Sequence, residues 1–355
     1  MSPETYQAAV VDKYTGDPLD FHLAQVPRHA TLQPTQVEVQ VHAASLNPID
    51  YKRAEGMLSL FVPEPFPLLL GYDFAGLITR VGPSVHRFSP GDRVYGRAAR
   101  ADAGAIAEYF VTQEVAVARI PGNVSFNVAA AVPLAGLTAL QSLERLGVTR
   151  ESSVFVSAGM GGVGMFGVAL ARHHFGAKEV ITTVSTGKVE RAREMGATRV
   201  VDYTQENYTE VLEDAADVML DTTGDTESYR VVKPNSRVVS VAMMPDSGGL
   251  EYFRKDQPPL SLVGRAKFAV LKRVVGVASW VLTRGFRAKG IRYEYVVMEP
   301  NGRQLEEVFN PLLENGVIKP VIANVHAFTN QGIQDAFRES RDGHATGKII
   351  VCIKG

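Results

Sequence analysis

The sequence predicts an α/β protein that combines a β-rich domain with a domain built on a doubly wound parallel sheet. Within residues 1–125, apolar positions alternate with polar ones, as in Val37–Val41, which is the period of a half-buried strand. From about residue 126, short apolar runs alternate with helical segments, the order expected of parallel β-α-β units. After about residue 315 the β-rich pattern returns. We therefore predict a first domain from residues 1–125 and 316–355 and a second from residues 126–315.

Turn residues and apolar periodicity place the individual elements. Pairs such as Gly82-Pro83 separate the short strands of the first domain, because glycine and proline favour turns. The predicted strands of that domain include Gly76–Val81, Arg93–Tyr95, Tyr109–Val111, Val115–Val117, Lys319–Phe328 and Lys348–Ile353. Those of the second domain are Ser153–Ser157, Glu179–Val184, Val200-Val201, Val218–Asp221, Val238–Ala242 and Tyr293–Met298. The predicted helices are Val128–Leu143, Phe166–Phe175, Lys188–Met195 and Gln331–Arg341.

Composition and charge narrow the class of protein. The 355 residues are 45% hydrophobic and 21% charged, which is typical of a folded globular chain. The net charge of −1 gives no basic excess for nucleic acid. A single cysteine, Cys352, excludes an intrachain disulfide and a zinc site built on cysteine pairs. The longest apolar stretch, around Phe268–Thr283, is interrupted by Lys272 and Arg273 and is too short to span a bilayer, so we expect a cytoplasmic protein.

A glycine-rich hexamer carries the strongest local signal. Gly159-Met160-Gly161-Gly162-Val163-Gly164 follows a predicted strand and precedes a predicted helix. Glycines at this junction let backbone N–H groups approach a pyrophosphate at the helix N-terminus, so the segment predicts dinucleotide binding. The alternative is a plain strand–helix turn.

The end of the next predicted strand bears on which dinucleotide binds. An acidic residue there would hold a free ribose 2′-hydroxyl, but Ser185-Thr186-Gly187-Lys188 contains none. Ser185, Thr186 and Lys188 supply hydroxyl donors and a positive charge for a 2′-phosphate, so NADPH is predicted over NADH. The alternative is that Lys188 is a solvated residue at a helix start.

A second group of polar residues lies at Asn47, Asp50 and Lys52. One interpretation is a substrate site. The other is turn chemistry, in which Asn47-Pro48 begins a turn and Asp50 caps a short helix.

Together and in order, these segments resemble the zinc-free quinone oxidoreductase and enoyl reductase branch of the medium-chain dehydrogenase/reductase superfamily, over essentially the whole chain. The matching segments are Asn47–Asp50, Gly71–Gly76, Gly91–Val94, Gly136–Ala139, Ala158–Gly164, Gly196-Ala197, Val201–Tyr203, Asp221–Gly224 and Gly347–Val351. The resemblance implies a GroES-like β-rich catalytic domain and a Rossmann domain, with NADPH and substrate in the cleft between them.

The resemblance also implies site residues. Zinc-dependent relatives hold their catalytic metal with a Cys and a His-Glu pair, where this chain has Asn47 and Tyr72-Asp73, so no metal is predicted. Lys52 matches a family position near the substrate, and Asn47, Asp50 and Tyr51 are the other candidate catalytic residues. The implied cofactor contacts are Thr138, Ala158, Gly159, Gly161, Gly162, Val163, Gly164, Tyr203, Thr222, Thr223, Gly224, Val241, Ala242 and Lys348.

Residues 257–293, here called the basic segment, depart from the compact family pattern. They contain no acidic residue. Their basic residues include Arg265, Lys267, Lys272, Arg273, Arg284, Arg287 and Lys289. The interpretation we favour is a helix whose apolar side packs and whose basic side is solvated. The alternative is a docking surface for an acidic acyl carrier or for anionic lipid.

The sequence therefore predicts an NADPH-dependent reductase of α,β-unsaturated carbonyls or quinones. Hydride would pass to the β-carbon, and Asn47 and Lys52 would stabilise the enolate. The alternatives are an enoyl-thioester reductase acting on carrier-bound chains and a non-catalytic NADPH-binding scaffold. A homodimer is a further expectation, and no nucleic-acid partner is expected.

Overall fold

The computed structural model describes residues 4–14, 21–57, 59, 65–99, 102–242, 249–251, 261–343 and 345–354, without the side chains of 262 and 263. The chain divides into two compact units, here unit 1 (Met1–Leu137 with Glu299–Gly355) and unit 2 (Thr138–Met298). No helix among the described residues is long and apolar enough to cross a membrane.

Unit 1 is built from two β-sheets whose strands pair mostly in the antiparallel direction. A three-stranded sheet has the order β2-β1-β4, and a larger sheet runs β15-β16-β3-β5-β6-β8, with β7 also paired to β3. The long strand β3 joins the N-terminal and C-terminal parts of unit 1. It pairs with β5 over Val37–Ser45, with β7 over Gln36–Gln40 and with the C-terminal β16 over Ala43–Leu46. The strands are β1 Thr5–Val11, β2 Phe21–Pro27, β3 Gln36–Leu46, β4 Leu68–Leu69, β5 Asp73–Val81, β6 Arg93–Arg97, β7 Tyr109–Gln113, β8 Val117–Arg119, β15 Ile322–Ala327 and β16 Lys348–Cys352.

Unit 2 is a six-stranded parallel sheet of order β11-β10-β9-β12-β13-β14. Counted along the chain this is 3-2-1-4-5-6, the order of dinucleotide-binding doubly wound sheets, which reverses direction between β9 and β12. All four residues of β9 are buried, as expected for the central strand of a sheet covered on both faces. The strands are β9 Ser153–Val156, β10 Glu179–Val184, β11 Arg199–Asp202, β12 Ala216–Asp221, β13 Val232–Ser240 and β14 Arg292–Tyr295.

The helices follow from caps and apolar faces. Ser125 caps α2 by accepting a hydrogen bond from the Val128 N–H, and Thr329 caps α11 in the same way at Gly332. The helices are α1 Pro48–Ala54, α2 Phe126–Ala130, α3 Pro133–Leu146, α4 Gly162–His173, α5 Val189–Glu194, α6 Tyr208–Val211, α7 Leu262–Leu282, α8 Arg284–Ala288, α9 Gly302–Gln304, α10 Asn310–Glu314 and α11 Asn330–Asp342.

Three predicted elements differ from the structure for local reasons. The single predicted helix over Val128–Leu143 is two helices, because Pro133 begins α3 and cannot continue α2. The strand predicted at Val115–Val117 is a 3₁₀ turn, Glu114–Ala116, followed by β8. The helix predicted from Lys188 also opens with a 3₁₀ turn, over Thr186–Lys188.

The boundaries of the units differ from those predicted at 125/126 and 315/316. The cause is packing, because the segments next to the predicted boundaries pack on unit 1. The Tyr95 hydroxyl donates to the Leu305 carbonyl over 3.2 Å and lies 2.8 Å from Asn310 Oδ1. A Cβ on Gly302 would lie 2.1 Å from the Val117 carbonyl oxygen, so α9 sits directly on β8. Such contacts between segments distant in the sequence leave no local pattern in it.

Candidate active site

The glycine-rich segment forms the turn between β9 and α4. Two glycines are needed for close packing, since a Cβ on Gly159 would lie 2.1 Å from Thr182 Oγ1 and one on Gly164 would lie 2.1 Å from the Ala158 carbonyl oxygen. Ala158 itself has φ +48, and its N–H donates to Thr183 Oγ1 over 3.2 Å. The sequence thus gives a backbone turn that a bulkier residue would not allow.

The N-terminus of α4 is suited to a pyrophosphate. Gly161 is the N-cap residue and no side chain caps the helix, while Gly161, Gly162 and Val163 are half-buried. The first N–H groups of a helix need acceptors, and the helix dipole favours an anion there. Because the turn also lies where the strand order of the sheet reverses, these residues fit a dinucleotide.

Asp221, at the end of β12, organises the neighbouring strand ends. Its buried carboxylate accepts hydrogen bonds from the Thr223 and Gly224 N–H groups (3.0 and 2.9 Å), from Ser240 Oγ (2.7 Å) and from the Tyr293 hydroxyl (3.1 Å). Burial, and then the charge of Asp221, raises the pKa of Tyr293, so its hydroxyl stays a donor. Asp221 thereby fixes loops that follow β12 and β13.

Thr222 connects β12 to the glycine-rich turn. Its Oγ1 donates to the Ser157 carbonyl over 2.6 Å, and its N–H donates to Ser157 Oγ over 2.7 Å. The predicted cofactor residues Thr222, Thr223 and Gly224 are therefore brought to the same point of the sheet as Ala158 and the glycines. Thr138 is buried on α3, whereas Val241 is half-buried and Ala242 exposed just after β13.

The residues predicted near a 2′-phosphate follow β10, except Tyr203, which follows β11. Ser185 and Lys188 are half-buried, and Thr186 and Tyr203 are exposed. The ammonium of Lys188 makes no hydrogen bond or ion pair to the described residues.

An acidic side chain also lies at this end of the sheet. Asp202 ends β11 in register with Val184, the last residue of β10. A hydrogen bond from the Thr186 side chain and others from Thr204 lower the pKa of the Asp202 carboxyl. The dinucleotide pattern looks for an acidic residue at the end of β10, whereas Asp202 lies at the end of the neighbouring strand β11. The pattern therefore did not detect Asp202.

In unit 1, five polar residues meet in a buried cluster, here called the Lys348 cluster: Ser45, Asn47, Asp50, Asp73 and Lys348. The Lys348 ammonium donates to Asn47 Oδ1 (2.5 Å) and the Leu46 carbonyl (3.1 Å) and lies 3.5 Å from Asp73 Oδ2. β16 pairs with β3, and β3 pairs with β5, so neighbouring strands bring the cation and the carboxylate together.

Asp73 is the acceptor of the cluster. Its carboxylate receives hydrogen bonds from Ser45 Oγ (3.1 Å), Asn47 Nδ2 (2.9 Å) and the Leu134 N–H (2.9 Å) as well as the ammonium. Burial raises the pKa of Asp73 and lowers that of Lys348, while each partner's charge acts in the opposite sense. Four donors on one carboxyl group favour its ionised form, so we describe Asp73 and Lys348 as a buried ion pair.

Asp50 belongs to the same cluster but has a different environment. Its Oδ2 accepts the Asn47 N–H over 2.8 Å, which makes it part of the cap of α1, whereas its buried Oδ1 has no hydrogen-bond partner among the described residues. Burial raises the pKa of the Asp50 carboxyl to about 7, and the nearby Asp73 adds to the rise. A neutral Asp50 leaves the cluster without net charge.

The cluster does not fit a zinc ion. Zinc is bound by thiolate, imidazole or carboxylate donors, whereas the matching positions here hold the Asn47 amide and the Tyr72 phenol beside Asp73. The Lys348 ammonium already contacts both Asn47 and Asp73. The guanidinium groups of Arg53 and Arg97 lie 5.6 and 4.7 Å from the centre of the Tyr72 ring. Among the described residues, no group of three or more His, Cys, Asp or Glu side chains could hold a metal.

The structure separates the four candidate catalytic residues. Asn47 and Asp50 are buried in the Lys348 cluster, where the Asn47 side chain donates to Asp73 and accepts from Lys348. Tyr51 packs against the hydrophobic core beside β16. Lys52 is half-buried on α1, and its ammonium makes no hydrogen bond or ion pair to the described residues.

The structure places Lys348 inside this cluster. Its side chain is 3% exposed and its donors are directed at Leu46, Asn47 and Asp73, and its contact with the cofactor stays a prediction. The sequence does contain a signal for this buried pair. The apolar strands β5 and β16 begin with residues of opposite charge, Asp73 and Lys348. A buried charge requires a partner, so each strand start indicates a buried counter-charge, and the strand pairing in the structure identifies it.

Comparisons with known proteins agree with this fold. Residues 33–122 match the alcohol dehydrogenase GroES-like domain, and residues 195–351 match a family described as zinc-binding dehydrogenase. The chain is 36% identical over 323 residues to the 2-methylene-furan-3-one reductase of Solanum lycopersicum, covering 89% of this chain and 71% of that protein. It is 33% identical to the chloroplastic NADPH-dependent alkenal/one oxidoreductase of Arabidopsis thaliana, covering 89% of this chain and 72% of that protein.

A solved structure gives the same result over the full length. The quinone oxidoreductase of Coxiella burnetii superposes with a TM-score of 0.81 at 25% identity, covering 99% of this chain and 100% of that one. The chain belongs to the medium-chain dehydrogenase/reductase superfamily, with quinone and alkenal oxidoreductases as its relatives.

Proposed function

We propose that this protein reduces an activated carbon–carbon double bond, in an α,β-unsaturated carbonyl or a quinone, with NADPH and without a metal. The observation that carries the proposal is the Lys348 cluster, in which a lysine ammonium stands among the residues that replace the zinc ligands of metal-dependent relatives. Without a Lewis acid, alcohol oxidation loses its usual means of stabilising an alkoxide. The relatives named as a furanone reductase and an alkenal/one oxidoreductase support the same chemistry.

NADPH, when bound, supplies a hydride. The α4 N-terminus at Gly161–Gly164 would hold its pyrophosphate, with Thr222 and Thr223 beside it. Lys188 supports NADPH over NADH, since it has no partner among the described residues and could pair with a 2′-phosphate. One relative is itself named as NADPH-dependent.

Lys52 is the residue that we propose as proton donor. Reduction of an enone leaves negative charge on the carbonyl oxygen and then needs a proton. An ammonium can supply both a hydrogen bond to that oxygen and the proton. Asn47, Asp50 and Lys348 instead position α1, the helix that carries Lys52, because the cluster joins the N-terminus of α1 to β5 and β16.

The test is turnover of a panel of enones, quinones and enoyl thioesters, measured as loss of NADPH absorbance. We expect turnover of enones or quinones, and a chemical step that is about 10²–10⁴-fold slower in Lys52→Met, the usual contribution of general acid catalysis. NADPH affinity should stay unchanged. Lys319→Met, a matched change at an exposed lysine of unit 1, should behave as wild type. Unchanged kcat and KM in Lys52→Met would remove Lys52 from the site.

The panel also separates the alternatives. Faster turnover of enoyl thioesters than of free enones would favour an enoyl-thioester reductase, for which the basic segment could dock an acyl carrier. NADPH binding without turnover of any substrate would favour a scaffold. The homodimer and the cytoplasmic location stay predictions, to be tested by the mass in solution and by cell fractionation.

A further inference from the structure

Helix α7 presents an apolar stripe to solvent. Val270, Val274, Val277 and Val281 are 66%, 60%, 59% and 45% exposed. Their spacing of four, three and four residues places them on one face of the helix. Val275, on the opposite side, is buried. The expectation that the apolar side of this helix packs is therefore only half correct, since a second apolar side does not.

The charged residues of α7 are all basic, and among the described residues the Lys272 ammonium pairs with the Glu251 carboxylate. No acidic residue occurs between residues 257 and 293. At 3.6 residues per turn, Lys267 and Arg273 lie on either side of the valine stripe, and both are exposed. Trp280 is 63% exposed beside it, with the Arg287 guanidinium 4.3 Å from its ring centre. Lys272, Arg273 and Trp280 also line a shallow depression next to the stripe.

Charge and shape together select the occupant. A second copy of the chain would bring a surface of the same positive charge against Lys267 and Arg273, which is unfavourable in a desolvated contact. A protein partner that satisfied only the cations would leave four valines and a tryptophan in water. An exposed helix with an apolar stripe, flanking cations and an interfacial tryptophan is instead the pattern of a helix that lies in the plane of a membrane surface.

We propose that α7 docks the protein peripherally on an anionic phospholipid bilayer. The valine stripe and Trp280 would enter the boundary between headgroups and acyl chains, to a depth of about 5–10 Å. Lys267 and Arg273 would lie at the level of the lipid phosphates, and each should strengthen binding roughly fivefold. The proposal goes beyond the reductase activity and does not depend on it.

Trp280 is the only tryptophan of the chain, so it reports on this surface alone. The full-length protein is mixed with vesicles of phosphatidylcholine and phosphatidylserine, or of phosphatidylcholine only. With the anionic vesicles we expect the emission of Trp280 to shift to shorter wavelength and to be quenched by brominated acyl chains. With neutral vesicles binding should be much weaker, because the electrostatic attraction is missing.

Three variants make the test specific. Replacing Lys267 and Arg273 by Gln together should weaken binding to anionic vesicles roughly 30-fold. Val274→Asp should abolish the spectral shift, because the carboxylate would enter the acyl boundary. Val115→Asp, at a 62% exposed valine of unit 1, is the matched control and should bind as wild type. NADPH turnover by each variant checks that it is folded.

Several results would overturn the proposal. Equal binding of wild type and Val274→Asp would show that the stripe does not enter the membrane. A lipid-free shift of Trp280 emission that grows with protein concentration, with a lower mass for Val274→Asp, would assign the stripe to contact between copies. A shift with an acidic acyl carrier protein but not with anionic vesicles would assign it to that protein.

Discussion

Lys348→Met should destabilise unit 1 by about 3–5 kcal/mol. This is the usual cost of removing one partner from a buried ion pair, and Lys348 and Asp73 are 3% and 0% exposed. The separation of 3.5 Å agrees with it, since two unit charges at that distance attract by about 5 kcal/mol at an effective dielectric constant of about 20. Methionine retains the length of the side chain but leaves the Asp73 carboxylate and Asn47 Oδ1 without the ammonium.

The measurement must report on unit 1 alone, because the chain has two units and two-state unfolding is not assured. Hydrogen exchange of peptides from β3 and β16, followed by mass spectrometry, does so. Some amide hydrogens of β3 and β16 exchange only when unit 1 unfolds. For these, a loss of about 3 kcal/mol of stability should make hydrogen exchange at least about a hundredfold faster. Peptides from β9 and β12 in unit 2 serve as the internal control.

The pH dependence separates charge from packing. Without Lys348 the pKa of the buried Asp73 should lie higher still, above its unfolded value. A carboxyl group whose pKa is raised in the folded state stabilises the fold at low pH, and this stabilisation is lost as the pH rises through the pKa of the folded state. The variant should therefore differ little from wild type at about pH 5 and strongly at about pH 8. An equal loss at both values would refute the ion-pair explanation, as would a failure of Asp73→Asn to restore stability in the double variant.

Two further predictions follow from the same structure. Because the pKa of Asp50 is raised from 3.8 to about 7, the free energy of unfolding of the wild type should fall as the pH rises from about 4 to about 7. Asp50→Asn should remove this dependence and add up to about 4 kcal/mol of stability above pH 7, measured by the same hydrogen exchange. An Asp50→Asn variant that is less stable than wild type at about pH 8 would contradict this prediction. Lys188→Ala should weaken NADPH binding by about 1.5–3 kcal/mol, roughly ten- to a hundredfold, and leave the affinity for NADH unchanged, as measured by calorimetry. Ser185→Asp should shift the preference towards NADH. Equal use of both dinucleotides by the wild type would contradict the assignment of the 2′-phosphate site.

The fold was largely predictable because its strongest signals are local. Short apolar strands alternating with helices predicted the parallel sheet of unit 2, and the glycines of Gly159–Gly164 predicted the tight turn between β9 and α4. The element ends were less predictable. Pro133 divides one predicted helix into two, and the limits of the units depend on contacts such as Tyr95 with Asn310, which are 215 residues apart in the chain. Periodicity within a short window carries no information on such pairs.

The site was predicted unevenly for the same reason. The predicted cofactor residues after β9 and β12 lie together because each group follows a strand whose end lies at the reversal of the sheet. The Lys348 cluster was divided between different roles, with Asn47 and Asp50 as catalytic groups and Lys348 as a cofactor contact. Only the pairing of β16 with β3, and of β3 with β5, shows that these side chains share one buried space.

This arrangement separates the positive charge that stabilises the fold from the one that could act on a substrate. A metal ion in a catalytic site keeps an open coordination position and can polarise a bound oxygen. The Lys348 ammonium has no such freedom, because it is buried and already directed at the Leu46 carbonyl, Asn47 and Asp73. It can hold the start of α1 in place, but it cannot also donate to a developing enolate without losing a buried partner. We propose that the donor is a group with an unused proton. On α1, Lys52 and Tyr51 are both half-buried and make no side-chain hydrogen bond or ion pair to the described residues, and of the two only Lys52 carries a positive charge for a developing enolate.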